Sequence, residues 1–134
     1  MATNLDDIAA IRGHFLNAWA KAHPSVSYVY EHEAAIDEPE GPWARFIVTP
    51  GAQRRRSIFE RKYEQLGRIY LHLIIPVGVA PEDYWPLADS FIATFQDWRS
   101  DDWRILCDVA QVRPYEDAEG TYMIEVSIPY TAQH

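Results

Sequence analysis

Residues 67–98 read GRIYLHLIIPVGVAPEDYWPLADSFIATFQDW, and the rest of the chain can be arranged around this stretch. Ile69, Leu71, Leu73 and Ile75 alternate with Tyr70, His72 and Ile74, which predicts a strand with one aliphatic and one mixed face, as in a sheet covered on one side. Pro76 ends the strand and Gly78 permits a turn closed to other residues. Pro81-Glu82-Asp83 then places a pre-set φ and acidic groups where a helix begins. Tyr84, Leu87, Ala88, Phe91, Ile92, Phe95 and Trp98 recur at helical spacing and leave Asp89, Ser90, Thr94 and Asp97 for solvent. That apolar stripe is expected to lie on the strand.

Upstream, Thr3 or Asn4 caps a first helix with Asp6 or Asp7 at the favourable end of its dipole. Leu5, Ile8, Ile11, Phe15, Ala18, Trp19 and Ala22 mark its buried face, and Pro24 closes it. Residues 25–32 read as a short strand with Tyr28 and Tyr30 opposite Val29. Residues 34–42, rich in Glu, Asp, Pro and Gly, read as a solvated loop. A strand over 43–49 is expected to break at Pro50-Gly51. The apolar residues of 52–66 (Ile58, Phe59, Tyr63, Leu66) fit neither period, so this region is taken as an extended, partly strand-like arm that pairs back toward Gly67.

Downstream, 103–115 contains a strand with Ile105, Cys107 and Val109 in phase and a slip at 110–112 that fits a bulge or kink. Residues 116–120 form a polar hairpin loop. In the last strand Tyr122, Ile124, Val126, Ile128 and Tyr130 face one way, and Pro129 implies that its end is an edge or leaves the sheet. The order of elements gives an α+β fold over residues 1–134, a mostly antiparallel sheet with two helices packed on one face. Its core is predicted to hold Phe15, Trp19, Ile69, Leu71, Leu73, Leu87, Phe91, Phe95, Ile124, Val126 and Ile128.

A chain of 134 residues that is 48% hydrophobic supports one core. No apolar run approaches the roughly 20 residues of a membrane span, and the N-terminus lacks a secretion signal, so a soluble, unexported protein is expected. The single cysteine, Cys107, leaves no disulfide framework and reads as a small buried hydrophobe. Net charge −8 and a pI near 5.0 disfavour a dedicated nucleic-acid reader. Yet Arg45, Arg54, Arg55, Arg56, Arg61, Lys62 and Arg68 put seven of the twelve basic residues between positions 45 and 68.

The six glycines never take a phosphate-binding spacing, and the five histidines are scattered. His72 is placed mid-strand on the mixed face. Neither a nucleophile arrangement nor a metal set is visible, so no catalytic residue, cofactor or metal is assigned. Trp19, Trp85, Trp98 and Trp103 fall near helix ends, where they serve either as core edge or as subunit interface.

The order of these features resembles the tail terminator proteins of tailed bacteriophages. The features are an amphipathic N-terminal helix, a Pro/Gly-interrupted strand with an arginine-bearing arm, Arg68 beside Gly67, the strand Ile69 to Pro76 with Gly78, the helix with Leu87-Ala88-Asp89 and Phe95, and a final strand with Val126-Ser127-Ile128-Pro129-Tyr130. The resemblance covers about residues 5–131. It implies a non-enzymatic virion protein, assembled in the host cytoplasm into a ring, commonly a hexamer, at the head-proximal end of the tail. Such a ring caps the tail tube, ends its polymerisation and meets the head-tail connector. On this reading Arg54, Arg55, Arg56, Trp85 and Trp98 are candidate subunit or partner contacts, the arginines facing an acidic protein surface in preference to DNA in the channel. The rival expectation is a small-ligand binder or enzyme on an α+β sandwich, with His72 and the aromatics lining a pocket.

Overall fold

The computed structural model describes residues 2–35, 41–57, 59 and 61–134. Its central strand β3 (Tyr63–Ile75) carries Ile69, Leu71, Leu73 and Ile75 fully buried, as their alternation demands. Antiparallel neighbours flank it: β2 (Trp43–Arg55) on one side and β6 (Tyr122–Gln133) on the other. A short strand β1 (Ser27–Tyr30) runs parallel to the start of β2. The far side of β6 is shared between β5 (Gln111–Glu116), which pairs with its first half, and β4 (Ile105–Cys107), which pairs with its end. The six-stranded sheet is mixed and mostly antiparallel, and with its two helices the fold is α+β.

Helix α1 (Asn4–Phe15) starts at a capping box. The Asp6 N–H donates to Thr3 Oγ1 at 3.3 Å and the Asp6 carboxylate accepts the Thr3 N–H at 2.8 Å. A π-helical turn over Leu16–Ala20 continues it. Ile11, Phe15 and Trp19 are fully buried, but Leu5 is 75% exposed, because Asp7 takes the inward position in the first turns. After Pro76, a turn through Gly78 (φ +88°) and a 3₁₀ turn at Pro81–Asp83 lead into α2 (Trp85–Phe95). This helix is shorter than its apolar stripe suggests: Gln96 is already extended, and Trp98 lies beyond the helix. Phe15 of α1 stacks on Phe46 of β2 at 4.1 Å, and Phe91 of α2 meets the same ring edge-on at 6.1 Å, so both helices cover one face of the sheet.

Three expectations need correction. The strand begun at Trp43 does not break at Pro50-Gly51; it absorbs them in a register shift between Pro50 and Gln53 and runs on to Arg55. The expected arm is therefore the outer part of a β2–β3 hairpin, with Arg54 opposite Glu64 and Arg55 opposite Tyr63. Its residues fit no period because both faces of β2 are exposed there and the bulge resets the alternation. Ile58 and the centre of the acidic loop, 36–40, lie outside the described residues.

The second correction is that residues 103–115 hold two short strands, and the slip at 110–112 falls where the second begins, after a step over 108–110. At that step the Asp108 N–H donates to the Pro129 carbonyl at 2.8 Å. The third concerns Pro129, which lies inside β6 and is no edge. A residue in an antiparallel ladder points its N–H and C=O to the same side, so the donor that Pro129 lacks faces the gap where β4 and β5 part. Carried across the registers, the same alternation turns Pro50 and Pro114 outward, toward the open sides of β2 and β5.

Candidate assembly surface

The β2–β3 hairpin projects past β1, which pairs with β2 only from Trp43 to Phe46. Arg54, Arg55 and Arg56 are exposed on it but held in place. Arg54 pairs with Glu64 at 2.7 Å, Arg55 lies over the Tyr63 ring with 6.0 Å to its centroid, and the Arg56 N–H donates to the Lys62 carbonyl at 2.9 Å. The pleat sends successive side chains to opposite faces, so the guanidinium groups do not form one cluster. Beyond them, Phe59 is 97% exposed.

Trp85 and Trp98 stand at opposite ends of α2, separated by the helix length of roughly 16 Å at ~1.5 Å per residue. Both are partly buried against the core. Trp98 stacks on His14 at 4.3 Å and lines a hollow of about 460 Å³ with His14, Asn17, Asp101 and Arg104. Trp19 is core, fully buried, with its indole N–H donated to the Leu87 carbonyl at 3.0 Å. Trp103 is exposed at φ +60°, with the Arg99 guanidinium 3.7 Å from its ring centroid. Among the described residues neither Trp85 nor Trp98 makes a ring, cation–π or hydrogen-bond contact with the other or with Arg54, Arg55 or Arg56.

The sheet face turned away from the helices carries a row of Arg45, His72, Glu125 and Arg113, set abreast across β2, β3, β6 and β5. Burial lowers the His72 pKa from its ordinary 6.5; Glu125 opposes the shift and Arg45 reinforces it. Ile47, Thr49, Tyr70, His72 and Glu125 line a depression of about 320 Å³ here, which holds no serine or cysteine for His72 to activate. Cys107 is buried, and its thiol pKa is pushed up to about 12 by that burial. Among the described residues no group of three His, Cys, Asp or Glu is placed to hold a metal ion.

One buried cluster escapes sequence reasoning. Asp7 is fully buried; it pairs with Arg104 through one carboxylate oxygen and accepts from His134 Nε2 at 2.6 Å through the other. Gln53 Nε2 lies 3.1 Å from His134 Nδ1. The cluster fastens α1 to the end of β6 and to the residue before β4. The capping pattern around Asp6 offered only an exposed role for its neighbour, and nothing local marks Arg104 or His134.

No curated protein sequence matches the chain. A solved structure of 19% sequence identity superposes with a TM-score of 0.64 over 94% of this chain and 95% of the other, which establishes a common fold. The sequence model of one family runs from Ile8, in the capped helix, to Tyr130, near the end of β6, and so takes in every strand of the sheet. That family is the phage tail terminator proteins, and this chain belongs to it.

Proposed function

We propose that the protein forms a ring, of six subunits, on the last ring of the tail tube, where it ends polymerisation and offers its opposite surface to the head-tail connector. The observation that carries this reading is the family match over residues 8–130. As a tail terminator the chain is a structural protein of the virion tail and not an enzyme, and its family implies contact with the tail tube. The exposed, ordered arginines of the hairpin and the half-buried Trp85 and Trp98 are the side chains we assign to subunit or partner contacts, since Arg and Trp supply much of the binding energy of protein interfaces.

The test is mass in solution, alone and with tube protein, alongside electron microscopy of growing tubes. A ring-sized species and tubes capped at one end are expected; a monomer that leaves tubes growing overturns the reading. Trp85→Glu and Trp98→Glu should weaken assembly more than they lower the melting temperature, and outright unfolding would return both residues to the core. Replacing Arg54, Arg55 and Arg56 together by Lys separates the two polyanions the hairpin could meet. Loss of capping with charge retained indicates fixed carboxylates, whereas capping kept by Lys but lost by Ala indicates phosphates.

A further inference from the structure

The registers place the two ends of the charge distribution at opposite corners of the sheet. Arg55 of β2 lies level with Tyr63 of β3, and Glu64 of β3 lies level with Gln133, so the arginine hairpin belongs to the end of the sheet where β6 finishes. Glu116 of β5 lies opposite Tyr122, where β6 begins, and the turn that follows carries Asp117 and Glu119. Between these corners lies β3, thirteen residues long, or on the order of 40 Å at ~3.3 Å per residue. In one copy the two corners cannot meet.

The hairpin corner holds Arg54, Arg55, Arg56, Arg61 and Lys62, and among the described residues there Glu64 is already paired with Arg54. The turn corner holds Glu116, Asp117 and Glu119, with Arg113 lying over the Tyr115 ring beside them. Val77 packs within 3.7 Å of where a Cβ on Gly120 would stand, so the loop leading to Glu82 and Asp83 leaves the sheet at this same end. Among the described residues no strand pairs with the outer side of β2 beyond Phe46 or with the outer side of β5. Pro50 and Pro114 each remove an outward donor from those edges, which deters simple strand addition and leaves the charged side chains to carry recognition.

We propose that the arginine hairpin of one copy docks on the carboxylate turn between β5 and β6 of a second copy, in a head-to-tail contact. This rests on the ring reading and gives it a direction: a contact between two different patches repeats from copy to copy and closes when the rotation allows. Opposite charges also steer the copies into register before they touch, an effect that fades as salt shortens the screening length to about 8 Å at physiological strength.

The test uses variants that spare the internal contacts of Arg54 with Glu64 and of Asp117 with its own turn. One carries Arg55→Glu and Arg56→Glu, the other Glu116→Lys and Glu119→Lys, each with a melting temperature checked against the parent chain. By sedimentation velocity at low salt, each alone should associate at least tenfold more weakly than the parent. An equimolar mixture should recover the parental assembly, with equal numbers of both chains by native mass spectrometry, because every contact in an alternating ring is again complementary. A variant that assembles alone as the parent does, or a mixture that fails to recover, overturns the docking while the ring reading stands. A parent chain that stays monomeric even with tube protein overturns both.

Discussion

Gly67 has no side chain, and the ring of Tyr130, its partner across the β3–β6 ladder, fills the space one would occupy: a Cβ there would lie 2.4 Å from the ring. Gly67→Ala must displace a fully packed side chain and is expected to cost about 1–3 kcal/mol, read from the denaturant midpoint. The Tyr130 hydroxyl is buried without a hydrogen-bond partner among the described residues, and burial, followed by the charge of Asp7, pushes its pKa up to about 12. Tyr130→Phe removes an unsatisfied polar atom and keeps the ring, so stability should hold or rise; a clear fall would mean the hydroxyl has a partner after all. His72 behaves oppositely to a histidine that gains a carboxylate. Its folded pKa lies below the unfolded 6.5, so the unfolded chain takes up a proton first, and stability present above 6.5 is lost as pH falls from 6.5 toward the lower folded value. The urea midpoint should drop more between pH 7.5 and 5 in the parent than in His72→Gln; equal drops would place the titrating group elsewhere.

Elements with a single unbroken period were legible in the sequence. Ile69 to Ile75 and Ile124 to Ile128 alternate because one face of each strand is covered. Ala88, Phe91 and Phe95 recur because α2 buries one stripe. Legibility failed where pairing and burial part company. The outer half of β2 is paired but exposed, so no hydrophobic pattern records it, and β4 is too short for alternation to separate it from β5. The Asp7 cluster was invisible for another reason: its partners are 97 and 127 residues away in the chain, and each reads locally as an ordinary surface charge. At this scale Asp7→Ala should be among the most damaging single changes outside the aromatic core. It strands Arg104 in a mostly buried setting and frees α1 from β6, at a cost of about 3–5 kcal/mol. A melt within a degree of the parent would show that water replaces the carboxylate.

For the whole molecule, composition and charge excluded classes of function but located nothing, and the candidate contacts were legible as residue types before their placement was known. The arginine run stood out as the basic part of an acidic chain; that it sits at the sheet corner diagonal to Glu116 and Glu119 follows only from strand order and register, which no spacing encodes. The parallel entry of β1 has a consequence for how the chain can be altered. Ser27 is level with Trp43 and Tyr30 with Phe46, so the chain leaving Tyr30 must double back along the whole of β1 before β2 can begin. Only the twelve residues 31–42 are available for that return, about the minimum that a parallel connection needs. The connection from β1 to β2 therefore has little length to spare. Lengthening a connection is cheap, since doubling its length costs only about 0.6 kcal/mol, and a peptide tag inserted between residues 36 and 40 should leave the melting temperature nearly unchanged. Removing four residues there should pull β1 off the sheet and strip Tyr28 from its edge-on contact with Phe15, and thermal melts of the two variants side by side would show whether this stretch is spacer or ornament.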